Sequence, residues 1–248
     1  MSKRPRVVAI TQARISSSRL PGKVLLNVQG KTLLQHHIDR AREATLVDDL
    51  VVATTTSAAD DPISDLCESL GVSHVRGSED DVLARYLLAA ERSDAELVVR
   101  ITADCPMIDP HVMDRTIDAF LQRIPDIDYV SNRIERTYPI GLDTEVVSRA
   151  VLEVAARESD WGPDREHVTY FVWRQPQRFR LYNVACERNL GDHRWTVDTP
   201  EDFELVRHMI DALYPTDPSF GIDECLTVLA QHPEWRALNQ SIKHKWPL

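Results

Sequence analysis

Short β-branched runs alternate with longer segments of helical period through the first half of the chain. That alternation narrows the fold more than any other feature. Residues 6–10 ("RVVAI"), 49–55 ("DLVVATT") and 95–102 ("AELVVRIT") read as strands. Between them, 31–44 ("KTLLQHHIDRAREA") places Leu33, Leu34, His37, Ile38 and Ala41 on one helical face. The stretch 60–71 ("DDPISDLCESLG") has an Asp start, a Pro in its first turn and a Gly stop. The run 73–78 ("SHVRGS") precedes a helix over 79–93, and another helix is predicted over 110–122. Strands joined through helices predict an α/β fold with a mostly parallel central sheet and helices on both faces. Beyond residue 128 the pattern is mixed. "DYVSN", "LDTEVV" and "RFRLYNVA" read as strands, and "SRAVLEVAARES" and "PEDFELVRHMIDALY" as helices. No Gly/Ser- or Pro-rich linker divides the 248 residues and there is no internal repeat, so one domain is expected, with a smaller β-rich excursion.

The net charge of −10 argues against broad binding to nucleic acid or an anionic membrane, yet permits a local basic pocket. The opening "MSKRPR" carries no apolar signal core, and no apolar run reaches membrane-spanning length, so the default location is the cytoplasm without membrane insertion. Four scattered cysteines with no C-x-x-C pair suit reduced thiols.

Ligands of doubly wound sheets sit beyond the C-terminal ends of the strands. The first such loop is "TQARISSSRLPGK", residues 11–23. It is not G-x-G-x-x-G, and "GKT" at Gly30–Thr32 is no Walker A loop because the required first glycine falls at Leu25. Small residues carrying Arg14, Ser17, Arg19 and Lys23 suit phosphate: amides and a hydroxyl bind its oxygens, and arginines add charge-assisted bonds. A solvated basic loop is the bland alternative.

The pattern "AR-x-x-S-x-RLPGK" followed by "L-x-x-x-x-GKTLLQHHIDRA" resembles the N-terminal signature of the sugar cytidylyltransferases, which activate 3-deoxy-manno-octulosonate and acylneuraminates. It resembles most narrowly the spore coat polysaccharide biosynthesis protein F subgroup. The likeness returns at "VRGSEDDVLARY", "RITADCPMIDP", "GLDTEV", "REHVT" and "RWTVDTPEDFE". It implies a three-layer nucleotide-diphosphosugar transferase (Rossmann-like) fold, commonly a homodimer. It also implies transfer of CMP from CTP to an acidic sugar or related small-molecule acceptor for surface polysaccharide, with release of pyrophosphate. On this reading residues 1–125 form the nucleotide-binding half, 126–190 an acceptor or dimerisation excursion, and 191–248 the metal-site strand and C-terminal helices. Ala13, Arg14, Ser17, Arg19 and Lys23 would bind the nucleotide, with Arg14 and Lys23 catalytic.

Nucleotidyl transfer calls for Mg²⁺ held by one or two carboxylates plus phosphates. Asp104 follows the strand "LVVRIT", and Asp198 follows "RWTV", read as a strand end. Either could instead cap a turn or helix, but the resemblance makes both metal ligands; Asp109 reads as a helix cap. Arg76 and Ser78 could touch base or ribose, or "SEDD" could simply start a helix. Asp143, Glu145, Glu166 and His167 suit hydroxyls of the acceptor. Rival readings are a glycosyltransferase using a nucleotide sugar, for which a D-x-D motif at a strand end is missing, and a catalytically silent nucleotide-binding protein.

Overall fold

The computed structural model describes residues 4–242, so the first three residues of the "MSKRPR" lead and the last six of the chain lie outside the described residues. In chain order the strands are β1 (Val7–Gln12), β2 (Asn27–Val28), β3 (Lys31–Thr32), β4 (Asp49–Thr55), β5 (Ser73–Gly77), β6 (Leu97–Thr102), β7 (Tyr129–Ser131), β8 (Glu145–Ser148) and β9 (Leu181–Asn183). The helices are α1 (Leu33–Ala41), α2 (Asp61–Ser69), α3 (Val82–Arg92), α4 (Pro110–Leu121), α5 (Arg149–Glu158), α6 (Gly162–Glu166), α7 (Tyr170–Trp173), α8 (Pro200–Leu213), α9 (Ile222–Gln231) and α10 (Pro233–Ala237).

Seven strands form one sheet in the order β5-β4-β1-β6-β8-β7-β9. β5, β4, β1 and β6 pair in parallel, β8 runs against both β6 and β7, and β9 pairs in parallel with β7. The β-rich segment beyond residue 128 therefore extends the central sheet, and the small antiparallel sheet is β2–β3.

Helices cover both faces, which is why the strands are apolar almost throughout. Side chains of successive strand residues point to opposite faces. Val7, Ala9, Val52, Val99 and Val146 pack with Leu34 and Ile38 of α1, Ile63 and Cys67 of α2, and Met113 and Ile117 of α4. Val8, Ile10, Val51, Val98 and Val147 pack on the other face with Leu83 and Tyr86 of α3, Leu152 and Ala155 of α5, and Phe171 and Val172 of α7. A third cluster gathers α8 and α9 around Trp195, Val197, Leu205, Met209 and Phe220. At about 25 cal/mol per Å² of apolar surface removed from water, such burial is the main favourable term of folding. Among the described residues no helix is long and apolar enough to cross a membrane.

The expected strand at 194–197 is absent. These four residues are buried, but only Arg194 makes a bridge, to Ile140. Gly141 explains how the segments pass so close: its φ is +111°, and a Cβ there would lie 2.6 Å from the carbonyl carbon of Trp195. The amide of Ile140 donates to His193 O at 3.0 Å, and that of Trp195 donates to Ile140 O at 2.6 Å. This crossing delivers the chain to Asp198.

Candidate active site

The loop after β1 is held from beneath by Asp60, which is buried. Asp60 accepts the amide of Ile15 at 2.7 Å and the hydroxyl of Thr55. The Ile15 carbonyl in turn accepts the amides of Ser17 at 2.7 Å and Gly22 at 3.0 Å. Gly22 sits at φ +70°, a conformation that favours glycine, and turns the chain into a single 3₁₀ turn, Lys23–Leu25. Ala13, Arg14, Ser17, Arg19 and Lys23 thus line one cavity of about 330 Å³, together with Arg85, Thr102, Asp104, Glu166, His167 and Asp198. That size suits a small-molecule ligand.

Lys23 is only 8% exposed. Its ammonium donates to Asp104 Oδ2 at 2.9 Å and to Asp198 Oδ1 at 2.8 Å. Burial works against the charge, but Asp104 and Asp198 outweigh it and hold the ammonium above its ordinary pKa. Burial likewise opposes the Asp104 carboxylate, and the Lys23 charge overcomes this and holds it well below the usual range. Asp198 Oδ2 accepts from Arg194 at 2.9 Å and lies 3.1 Å from an Arg19 nitrogen. Neither aspartate is a helix cap. Thr199 caps α8 and forms a capping box with Asp202, which leaves Asp198 free to face the cavity. Asp104 is tied to the same segment through its backbone carbonyl, which accepts the Val197 amide at 2.8 Å and the Thr196 hydroxyl at 3.1 Å.

Behind the carboxylates lies a layer the sequence did not disclose. Arg194 also donates to both oxygens of Asp202, at 2.8 and 3.0 Å. The Asn239 side-chain amide donates to Asp202 Oδ1 at 2.8 Å and to the Arg194 carbonyl at 2.9 Å. Among the described residues no group of three or more His, Cys, Asp or Glu side chains could cage a metal. Two carboxylates converging on one cation do fit Mg²⁺, which takes its remaining ligands from phosphates and water.

The sequence signature of the cytidylyltransferases matches residues 8–218. The chain belongs to the cytidylyltransferase family. This cytidylyltransferase is 32% identical over 246 residues to uncharacterized protein MJ1063 of Methanocaldococcus jannaschii, covering 97% of each chain. It is 32% identical over 241 residues to spore coat polysaccharide biosynthesis protein SpsF of Bacillus subtilis, covering 92% of this chain and 95% of the relative. The structure of a cytidylyltransferase from Leptospira borgpetersenii superposes with a TM-score of 0.91 at 31% identity, covering 97% of this chain and 100% of that one. The enzyme is accordingly a nucleotidyltransferase.

Four residues singled out in the sequence are not among those lining the cytidylyltransferase cavity. Arg76 donates to the carbonyls of Thr55 at 2.8 Å and Ser57 at 2.7 Å and pairs with Asp61, so its guanidinium braces the loop after β4. The Ser78 hydroxyl accepts the amide of Asp81, and Asp81 caps α3; the helix-start reading of "SEDD" describes both. Asp143 is clamped by Arg136 through two bonds of 2.8 Å. Glu145 is buried opposite Arg100 on the neighbouring strand and accepts from Arg100, Arg133, Tyr129 and Thr169. Burial opposes its charge, but Arg100 and then Arg133 lower its pKa to about 2. Asp109 is a helix cap as read, accepting the amides of His111 and Val112.

Glu166 and His167 do reach the cavity, from the end of α6. Burial keeps the His167 imidazole below its ordinary pKa, so it is neutral near pH 7. The next residue, Val168, is buried at φ +57°, a costly conformation for a β-branched side chain. Thr169, bonded to Glu145, fastens this turn to the sheet. Arg85 lines the cavity although "VLARYLL" reads as an apolar helix face. Its stem fits because Gly77 has no Cβ, which would lie 2.8 Å from Arg85 Cγ.

Proposed function

We propose that this cytidylyltransferase uses CTP and Mg²⁺ to transfer CMP to a hydroxyl of an acidic sugar or related small acceptor, releasing pyrophosphate. The observation that carries the proposal is the convergence, in one cavity, of a basic loop after β1 with two carboxylates from segments far apart in the chain. Family membership supports cytosine as the base. Likeness to SpsF, whose name refers to spore coat polysaccharide biosynthesis, supports a polysaccharide precursor as product.

In this reading Arg14, Ser17, Arg19 and Lys23 bind oxygens of the triphosphate, with loop amides completing the cradle. Asp104 and Asp198 would hold Mg²⁺, which would supply charge neutralisation on the triphosphate. The acceptor oxygen attacks the α-phosphorus in line with the α–β bridging oxygen; the new P–O bond forms as that bridge breaks. Glu166 and His167 lie on the acceptor side, where the neutral imidazole accepts a hydrogen bond from the attacking hydroxyl, orients it and takes its proton as the new P–O bond forms. The residues contribute position and charge, which are the principal terms in such transfers. A homodimer belongs to the same proposal and is read by light scattering. The nucleotide part is tested by calorimetric titration with α,β-methylene analogues of CTP, UTP, ATP and GTP in the presence of Mg²⁺. Tighter binding of the CTP analogue is expected. Equal or tighter binding of another base refutes the assignment.

A further inference from the structure

Lys23 stands where a cation bound by Asp104 and Asp198 has to stand. Its ammonium touches one oxygen of each carboxylate, at 2.9 and 2.8 Å. A divalent cation bridging those same oxygens cannot share the position. We infer that Lys23 is the resident cation of the nucleotide-free enzyme, and that a divalent cation gains the two carboxylates only when a bound triphosphate draws Lys23 away. The inference rests on the reading of Asp104 and Asp198 as the metal-holding pair.

Charge and geometry point the same way. Lys23, Arg19 and Arg194 face Asp104, Asp198 and Asp202, three cations against three anions. A divalent cation arriving alone would add two positive charges to a balanced cluster while displacing a buried ion pair. A triphosphate brings the negative charge that offsets both, and offers Lys23 new oxygens. A lysine suits the exchange, since its point charge rides on a flexible four-carbon stem and lacks the fixed fork of arginine. The carboxylates need not move when it leaves. Arg194 still holds Oδ2 of Asp198, and the Asp104 carbonyl, which fixes the backbone that carries its carboxylate, remains bonded to Thr196 and Val197. Metal and nucleotide therefore load as a coupled pair, and metal without nucleotide is excluded by the enzyme's own side chain.

The test is binding of Mn²⁺ alone, followed by calorimetry and by electron paramagnetic resonance. It compares the wild-type enzyme with Lys23→Met and Lys23→Gln, and with wild type saturated with α,β-methylene-CTP. Both variants should bind Mn²⁺ without nucleotide at least about tenfold tighter than wild type. Mn²⁺ should raise their melting temperature and leave that of wild type unchanged. Wild type should gain comparable affinity only with the analogue present. Wild-type enzyme that binds Mn²⁺ alone as tightly as the two variants overturns the inference. Asp198→Asn added to Lys23→Met separates the two readings. If the extra substitution abolishes Mn²⁺ binding while wild type matches Lys23→Met, the carboxylate pair stands and only the exclusion falls. If Mn²⁺ binding survives Asp198→Asn undiminished, the pair is not the cation site and both fall.

Discussion

Glu145→Gln tests whether the buried cluster beneath the cavity is a support or a ligand site. The substitution keeps the side chain's size and removes its charge, leaving Arg100 buried without its carboxylate. The Glu145 pKa falls from 4.5 in the unfolded chain to about 2 in the folded one. At 1.36 kcal/mol per unit, that difference is worth about 3 kcal/mol of stability near neutral pH. Removing one partner of a buried ion pair leads to a similar figure, about 3–5 kcal/mol. The sign follows from the direction of the shift. The contribution is complete above pH 4.5 and is lost as the pH falls toward 2. Urea unfolding at a series of pH values reads it: the gap between wild type and Glu145→Gln should be about 3 kcal/mol at about pH 7 and shrink below about pH 4. Affinity for the CTP analogue, measured on folded protein, should barely change. A gap below about 1 kcal/mol at neutral pH, or one that does not narrow in acid, refutes the supporting role.

Arg14→Ala should weaken binding of the CTP analogue by about 1.5–3 kcal/mol, the worth of one charge-assisted contact, with an unchanged melting temperature. Glu166→Gln should leave analogue binding nearly unaltered and slow product formation with the true acceptor; loss of nucleotide binding in the folded variant would move Glu166 to the nucleotide side. Asp202→Asn weakens the hold of Arg194 on the segment carrying Asp198. It should shift the Mg²⁺ dependence of turnover to higher concentration, and an unchanged curve would show that Asp198 needs no such brace.

The parallel half of the sheet was legible because strands buried on both faces leave continuous apolar runs, and α1 to α4 follow with their punctuation intact. The loop after β1 was legible as part of the cavity because its charge stands in a stretch with few apolar residues. "RWTV" misled for a physical reason: Trp195 and Val197 are buried like strand residues, but they pack on α8 and α9, and burial without a pairing partner looks the same in sequence. Glu145 misled in the opposite sense. Only the register that sets it opposite Arg100 shows that its carboxylate is buried and paired within the sheet. Arg85 escaped notice because a helix of apolar period conceals which of its members faces a cavity. Lys23 was correctly placed at the cavity, but its contact with two aspartates 81 and 175 residues away could not be inferred from local pattern.

Asn239 gives the site a schedule during synthesis. The loop after β1 can form as soon as β1 and β4 have emerged and paired, because the partners that hold it, Asp60 among them, precede the middle of the chain, whereas the Asp104 carbonyl waits for Thr196 and Val197. Asp198 arrives much later, and the Asp202–Arg194 brace behind it takes two hydrogen bonds from Asn239, 45 residues after Arg194. Contacts spanning such separations form slowly, since loop-closure entropy must be met before they contribute. A ribosome-bound chain stalled before residue 239 should therefore present a folded loop after β1 with an incompletely braced second carboxylate. The second carboxylate of the cavity is then fixed as a late event in the life of each molecule, well after the sheet that displays it.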